Sequence, residues 1–269
     1  MIKFHDVSYG YAKGTNVIRD FTMRLESGRI CGLLGKNGTG KSTLLYLMNG
    51  LLRPKSGKVT FRGKDTFRRL PSVLSEMYLV PEEFKLPATS LKNYVRTNSV
   101  FYPRFSDEQF SKSVDIFDMD INQQLDKMSM GQKKKALMVF ALATNSAVLS
   151  MDEPTNGLDI PSKRQFRRVV SQNMNDDRTI LISTHQVGDV DALLDHIVII
   201  DKNKVLLDES VKDILGRLCF KEQSLTTPTD GALYVEPSIA GNSVIYPNDG
   251  TIECNLNLEV LFNATIQKK

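Results

Sequence analysis

One stretch of eight residues, Gly35-Lys36-Asn37-Gly38-Thr39-Gly40-Lys41-Ser42, constrains this chain more than any other. It has the pattern G-x-x-x-x-G-K-[ST], which is typical of loops that hold the phosphates of a nucleotide. The apolar run before it, residues 29–34, predicts a buried strand, and residues 42–49 predict a helix that Gly50 ends. Because strand, glycine loop and helix follow in this order, we favour nucleotide binding over a chance glycine-rich turn.

The residue types in the loop suit an anion. Gly35, Gly38 and Gly40 permit backbone angles that other residues avoid, so successive N–H groups can converge on a phosphate. The following helix directs its positive end to the same place. We expect Lys41 to reach the β- and γ-phosphates and the Ser42 hydroxyl to bind Mg²⁺.

A second pattern places two acids at the end of an apolar strand. Residues 147–151 predict a buried strand, and Asp152 and Glu153 follow directly. Buried carboxylates are costly unless they are paired or bind a metal, so a coincidental acidic turn is the weaker interpretation. Beside a phosphate loop, Asp152 is a candidate Mg²⁺ partner and Glu153 a candidate base that orients and deprotonates water.

Two further polar residues follow predicted strands. Glu82 comes after the short strand 77–80, and His185 comes after the strand that begins at Thr179. In open α/β sheets, ligands gather at the carboxyl ends of strands. We therefore favour a γ-phosphate contact for His185, although a lone histidine at a strand end is often structural.

The sequence between residues 84 and 144 differs in character from its surroundings. Residues 84–128 predict helices, and Met128-Ser129-Met130-Gly131-Gln132 then precedes a helix predicted over residues 133–144. Ser129 and Gln132 have the spacing of a capping box. Three lysines, 133–135, crowd the predicted first turn, where the helix dipole disfavours cations. An anion near that end would relieve the conflict.

Composition limits the remaining choices. The chain has 269 residues, of which 41% are hydrophobic and 25% charged, which suits one globular domain with an appendage or two small domains. The net charge of +4 is mild and spread out, which favours no nucleic-acid partner. The longest apolar run, residues 136–151, is broken by residues 144–146, so no membrane span is predicted.

The three cysteines, Cys31, Cys219 and Cys254, lie far apart and are odd in number. No pair has the spacing of a metal site, so we interpret them as reduced thiols of a cytosolic protein.

Turn and strand patterns complete the outline. Turns are predicted over residues 10–14 and around Lys202-Asn203, the latter inside a hairpin. From about Cys219 the pattern shifts to short strands, and residues 247–250 predict a turn into a strand over residues 251–256. This last part carries no motif to which we can assign chemistry.

Taken together, these motifs resemble those of the nucleotide-binding subunit of an ABC transporter, over residues 1 to about 215. Residues 35–42 match Walker A, residues 149–153 match Walker B with the catalytic glutamate, and residues 156–159 match the D-loop. Residues 128–132 match the LSGGQ signature. His185 matches the switch histidine. Tyr11, in the first turn, matches the aromatic residue that stacks on adenine; by itself it would be packing.

The resemblance implies an α/β fold of the P-loop ABC-type ATPase class, with a mixed sheet, a helical insertion and a small C-terminal α+β appendage. The implied domains are 1–218, with the helical part at about 84–144, and an appendage at 219–269. The implied catalytic residues are Glu153 and His185, and the implied metal ligands are Ser42, Glu82 and Asp152. The implied ATP-binding residues are Tyr11, Gly35, Lys36, Asn37, Gly38, Thr39, Gly40, Lys41, Ser42, Thr43, Ser129, Gly131, Gln132 and Asp159.

It also implies ATP and Mg²⁺ as cofactors and a head-to-tail dimer, homo- or heteromeric, with each ATP between one phosphate loop and the other signature helix. A separate membrane permease would dock near Glu82 and the helical insertion, which puts the chain on the cytoplasmic face of the membrane.

Three positions depart from the family pattern, and one of them is Met128, which replaces the signature leucine. Glu82 stands where the Q-loop glutamine is usual, which adds a negative charge near Mg²⁺, and Met130 replaces the first signature glycine. Exporter-type members often have Met-Gly-Gln there, and residues 101–105 resemble a subgroup associated with export of antibiotics or peptides. We therefore expect export of a drug, antibiotic or peptide.

Three other classes compete with this interpretation. A soluble ABC-type ATPase of translation or DNA repair usually has two ATPase domains or a long coiled coil, and this chain has one phosphate loop and no heptad run. A small-molecule kinase or GTPase does not fit the signature and the Asp-Glu pair. A non-catalytic nucleotide sensor, regulated through the appendage, is the third.

Overall fold

The computed structural model describes residues 1–12, 16–202, 204–239 and 241–267. The strands in these ranges are β1 (Ile2–Tyr9), β2 (Ile18–Leu25), β3 (Ile30–Leu34), β4 (Ser56–Phe61), β5 (Lys64–Asp65), β6 (Met77–Val80), β7 (Val148–Asp152), β8 (Thr179–Thr184), β9 (His196–Asp201), β10 (Lys204–Ser210), β11 (Leu218–Gln223), β12 (Tyr234–Ser238) and β13 (Gly241–Pro247). The helices are α1 (Lys41–Met48), α2 (Pro71–Leu74), α3 (Leu91–Asn98), α4 (Asp107–Phe117), α5 (Met130–Ala143), α6 (Ile160–Gln172), α7 (Val211–Arg217) and α8 (Leu258–Gln267). Short 3₁₀ turns join several of them.

A six-stranded sheet with the order β10-β9-β3-β8-β7-β6 forms the centre of the molecule. Its strands are parallel except for β10, which pairs antiparallel with β9. Every residue of β3, β7 and β8 is buried, as expected for parallel strands covered on both faces. The carboxyl ends of β3, β8, β7 and β6 therefore lie in a row at one edge, where such sheets bind ligands.

A second sheet, with the order β2-β1-β4-β5, is antiparallel and packs over α1. Phe4 and Phe21 of this sheet meet edge to face, with ring centroids 5.5 Å apart. They share one hydrophobic cluster with Leu44 and Leu45 of α1 and Leu33 of β3. Helix α1 is thus enclosed between two sheets, which fixes the loop that leads into it.

The predicted helical insertion is present as α3, α4 and α5. Helix α5 is its centre, since residues 136–143 are all buried. Phe110 and Phe117 of α4 are buried in the same hydrophobic cluster as these residues of α5.

The C-terminal part forms a three-stranded antiparallel sheet, β11-β13-β12, with α8 packed beside it. Leu261 of α8 and Ile245 of β13 belong to the same hydrophobic cluster as Ile199 and Leu207 of the central sheet. This part therefore packs directly on the central sheet.

One sequence prediction for this part is wrong, and one strand was not predicted. Residues 251–256 are not a strand but an irregular segment that leads to α8. The Asn248 side chain donates to the carbonyls of Leu215 and Ile252, 2.8 and 2.9 Å away, and so holds this turn against α7. The strand that pairs with β13 on its other side is β11, which the sequence pattern did not reveal.

The cysteine interpretation is also wrong for one pair. Cys219 and Cys254 form a disulfide between β11 and the segment before α8, across 35 residues of sequence. Cysteine content therefore gives no support for a cytosolic location. Cys31 is a buried free thiol, as predicted, and burial raises its pKa to about 12.

Within the described ranges, no helix combines the length and the apolar character needed to cross a membrane. Gly14 of the predicted first turn and Asn203 of the predicted hairpin turn lie outside the described residues.

Candidate functional site

The glycine-rich loop joins β3 to α1 in the predicted order of strand, loop and helix. Gly40 precedes α1 with a φ of 97°, a left-handed conformation that favours glycine. A Cβ on Gly40 would lie 2.6 Å from the Ile18 side chain, and one on Gly35 would lie 2.8 Å from the Ile200 carbonyl oxygen. Close packing therefore requires glycine at both positions, and the amino end of α1 opens onto the loop.

Lys41, the first residue of α1, is buried in the middle of this loop. Its Nζ donates to the carbonyls of Gly35, at 2.8 Å, and Lys36, at 3.4 Å. The same Nζ lies 3.6 Å from Oε1 of Glu153. The ammonium thus joins the phosphate loop to the acid pair that follows β7.

Glu153 has an unusual backbone and a fully engaged side chain. Its φ is 45°, a left-handed conformation that costs a non-glycine residue on the order of 1–3 kcal/mol. Its N–H donates to the Ser183 carbonyl at 2.9 Å. Its carboxylate accepts from the Thr184 hydroxyl at 3.0 Å and from the His185 N–H at 3.1 Å, and His185 Nδ1 lies 2.8 Å away. The end of β8 therefore holds the carboxylate in one orientation.

Asp152 is buried beside it and is only partly satisfied. The Ser183 hydroxyl donates to Oδ1 of Asp152, whereas Oδ2 has no hydrogen-bond partner among the described residues. Burial raises the pKa of Asp152; the Ser183 and Ser42 hydroxyls act against this shift, and the Glu82 and Glu153 carboxylates add to it. A cation would offset both the burial and the repulsion, so this donor set fits a divalent metal ion.

Most of these groups line one open cavity of about 640 Å³, together with the loop that follows β6; the predicted site residues Gly35, Lys36, Thr39 and Asp152 are not among its lining residues. The lining residues are Tyr11, Val17, Asn37, Gly38, Gly40, Lys41, Ser42, Thr43, Glu82, Glu153, Asn156 and His185. The Asn156 amide donates to Glu82 at 3.1 Å. Tyr11 is 63% exposed at the rim, with its hydroxyl 3.2 Å from the Thr43 hydroxyl and its ring edge-on to Tyr9.

Four predicted site residues lie elsewhere. Ser129, Gly131 and Gln132 lie at the start of α5, and Asp159 caps α6 by accepting from the Ser162 N–H at 2.9 Å. None of these four is among the described residues that line the cavity.

The capping box predicted for α5 is confirmed. The Ser129 N–H donates to the Gln132 side chain at 2.9 Å, and the Gln132 N–H donates to the Ser129 hydroxyl at 3.3 Å. The helix begins at Met130, three residues earlier than predicted, so the three lysines occupy its fourth to sixth positions.

Two of these lysines have local partners, so the expectation that they need an anion is wrong for them. Lys134 donates to backbone carbonyls of the loop after β7, and Lys135 donates to Gln165 at 3.1 Å and lies over the Phe117 ring. Lys134, Ser183 and Thr184 are site residues that the sequence analysis missed. The polar pair at residues 183–184, directly before His185, was a signal that could have indicated two of them.

The fold and the cavity define a P-loop nucleotide-binding protein. The family model described as ABC transporter matches residues 18–156. The energy-coupling factor transporter ATP-binding protein EcfA2 of Staphylococcus aureus (strain MRSA252) is 30% identical, with 80% of this chain and 81% of that protein covered.

Solved structures agree on the fold. An ATP-binding subunit of an ABC transporter superposes with a TM-score of 0.70 at 23% identity, covering 80% of this chain and 91% of the other. The dimeric cassette MJ0796 of a bacterial ABC transporter gives 0.68 at 22% identity, covering 78% and 99%. A bacterial Atm1-family ABC exporter with ATP bound gives 0.67 at 18% identity, covering 80% and 39%.

The chain belongs to the ABC transporter family. It is an ATPase of that family, and its hydrolysis of ATP is coupled to transport across a membrane. The predicted fold class is confirmed.

Proposed function

We propose that the cavity binds MgATP and that Glu153 is the general base of hydrolysis. The observation that carries the proposal is the buried Glu153 carboxylate, oriented by Thr184 and His185 and 3.6 Å from Lys41 of the phosphate loop. A base in a fixed orientation beside the phosphate site can accept the proton of an attacking water.

The other site residues have separate roles in this proposal. The loop N–H groups and Lys41 bind the phosphates, and Lys41 exchanges its carbonyl partners for phosphate oxygens. Ser42, Asp152 and Glu82 hold Mg²⁺, which neutralises phosphate charge when bound. As the water oxygen bonds to the γ-phosphorus, its proton passes to Glu153 and the bond to the β–γ bridging oxygen breaks. His185 contacts the γ-phosphate, and Tyr11 stacks on the base.

We further propose that the signature residues act on ATP held by a second subunit, in a head-to-tail dimer. Ser129, Gly131, Gln132 and Asp159 lie outside the cavity of their own chain. A Cβ on Gly131 would lie 3.5 Å from the Gly157 carbonyl, so the signature and the D-loop share one face. Met130 and Ile160 are 57% and 78% exposed on that face, and apolar side chains in such positions favour burial against a partner.

The membrane permease, in this proposal, docks beside the helical insertion. A groove of about 430 Å³ lies there, with Phe101 at its rim. Its aromatic lining residues are Tyr78 of β6, Tyr94 of α3, Tyr102 after α3, and Phe140 of α5. Phe101 is 66% exposed, which suits an apolar segment of the permease. Strand β6 contributes Tyr78 to this groove and ends at Val80, two residues before Glu82 of the nucleotide cavity, so it connects the two places along the chain.

For the direction of transport we propose export of a drug, antibiotic or peptide, with the chain on the cytoplasmic face of the membrane. The Met-Gly-Gln signature and residues 101–105 support export. The energy-coupling factor names of the relatives favour a second candidate, service to a permease of that transporter class. Two measurements decide between these candidates. The first identifies the membrane protein that co-purifies with the chain from detergent. The second follows its cargo in inside-out vesicles given ATP, where accumulation indicates export and loss indicates import.

Replacement of the base tests the catalytic proposal. Glu153→Gln keeps the size of the side chain but cannot accept the proton, so ATP turnover falls about 10²- to 10⁴-fold. The dissociation constant for ATP, measured by equilibrium dialysis, stays close to wild type. Lys41→Ala is the contrasting variant, since it weakens ATP binding itself. Near-normal turnover of Glu153→Gln removes Glu153 from the role.

A further inference from the structure

Lys134 is a buried cation that connects two functional segments of the chain. It lies near the start of α5, with 4% of its surface exposed. Its Nζ donates to the Glu153 carbonyl and to the Asn156 carbonyl, each at 2.8 Å. A single ammonium therefore clamps both ends of the turn that joins the acid pair to the D-loop.

These contacts act on the strained residue of the site. The left-handed backbone of Glu153 persists only where its surroundings hold it. Its N–H donates to the Ser183 carbonyl at the end of β8, and its carbonyl accepts from Lys134 Nζ at 2.8 Å and from the Asn156 N–H at 3.2 Å. Without Lys134 only the Asn156 N–H remains on that carbonyl, so the peptide after Glu153 is held less firmly and the orientation of the carboxylate toward the cavity loosens.

Charge supports the same role. Burial lowers the pKa of Lys134, while the carboxylates of Glu82, Glu153 and Asp152 act in the opposite direction. The ammonium therefore lies in the field of all three acids of the site. Hydrogen bonds from charged donors are also roughly twice as strong as neutral ones.

We propose that Lys134 is a positioning residue for hydrolysis, which ties the start of the signature helix to the backbone of Glu153. The proposal rests on the assignment of Glu153 as the base.

The test compares the same substitution at two neighbouring lysines. Lys134→Met removes both donors but keeps the apolar stem, and the expected result is a fall in kcat of about 10- to 100-fold with an unchanged dissociation constant for ATP. Lys135→Met is the matched control, because Lys135 contacts Gln165 and Phe117 rather than the catalytic loop. It retains wild-type kcat. Lys134→Arg, which keeps charged donors, recovers part of the lost rate.

A double variant separates positioning from general structural support. Because Lys134 acts through Glu153, adding Lys134→Met to Glu153→Gln causes no further fall in the single-turnover rate. A further fall, or a loss of ATP affinity equal to the loss of kcat, overturns the inference. If Lys134→Met does not fold, Lys134→Leu takes its place, with the same expected loss of kcat, because it also lacks a donor.

The outcomes also distinguish this inference from the proposed function. An inactive Glu153→Gln with a fully active Lys134→Met overturns the inference alone. A fully active Glu153→Gln overturns both. An inactive Glu153→Gln, with a slow Lys134→Met that binds ATP normally and a normal Lys135→Met, supports both.

Discussion

A buried cation lies at each end of helix α5, and the helix dipole acts in opposite directions on the two. One is Lys134 of the helix itself, and the other is Arg178, which precedes β8 and binds the last carbonyls of the helix. At the carboxyl end, Arg178 donates to the carbonyls of Ala141, Leu142 and Asn173 at 3.0 to 3.2 Å, where the helix dipole favours positive charge. Near the amino end, Lys134 is placed where the dipole is unfavourable, and it donates to the carbonyls of Glu153 and Asn156 in the loop after β7 instead.

This difference separates a structural cation from a functional one. Arg178 donates to carbonyls at the ends of α5 and α6, and stabilisation of the fold is enough to explain this arrangement. Lys134 opposes the local helix preference but contacts the backbone of the proposed base. Departures from local preference are expected where function requires them.

The largest predicted effect is a loss of stability when the cation at the carboxyl end of α5 is removed. Arg178→Met removes three hydrogen bonds from a charged group that is 1% exposed, and we expect the free energy of unfolding to fall by about 3–5 kcal/mol. Urea denaturation measures this loss. At a temperature where the variant is folded, its ATP turnover per folded molecule matches wild type. A stable variant with impaired turnover would reverse the roles that we assign to the two ends.

A smaller loss of stability, together with a loss of turnover, is predicted when the cap at the amino end of α5 is removed. Ser129→Ala removes the N-cap of α5, which costs about 1 kcal/mol of stability, and turnover falls as well because in the proposed dimer Ser129 contacts the nucleotide of the second subunit. Ser106→Ala is the matched control: Ser106 caps α4 by the same hydrogen bond, to the Gln109 N–H. We expect Ser106→Ala to lose a similar amount of stability in the same urea titration and to keep the ATP turnover of the wild type. Equal turnover of the two variants would contradict the role of Ser129.

The sequence predicted most of the structure that surrounds the cavity. The glycine loop, the acid pair and the strand ends at Glu82 and His185 each follow a short apolar run, and their local patterns are strong enough to place them. The capping box of Ser129 and Gln132 was equally visible, because its residues are three apart.

What the sequence did not reveal depends on contacts between distant residues. Lys134 meets Glu153 across 19 positions, and Cys219 meets Cys254 across 35, so no local pattern indicates either contact. The strand predicted over residues 251–256 had suitable residue types. Among the described strands, however, β12 pairs with one edge of β13 and β11 with the other, so no edge of β13 is left for it. Tertiary packing decided these cases over local propensity.

The central claim is that the exposed start of α5 completes a nucleotide site on a second copy of the chain. Light scattering of Glu153→Gln, with and without saturating MgATP, tests it most directly, since that variant binds ATP without consuming it. The account predicts a monomer without nucleotide and twice the mass with it. A mass that remains monomeric in saturating MgATP would contradict the account.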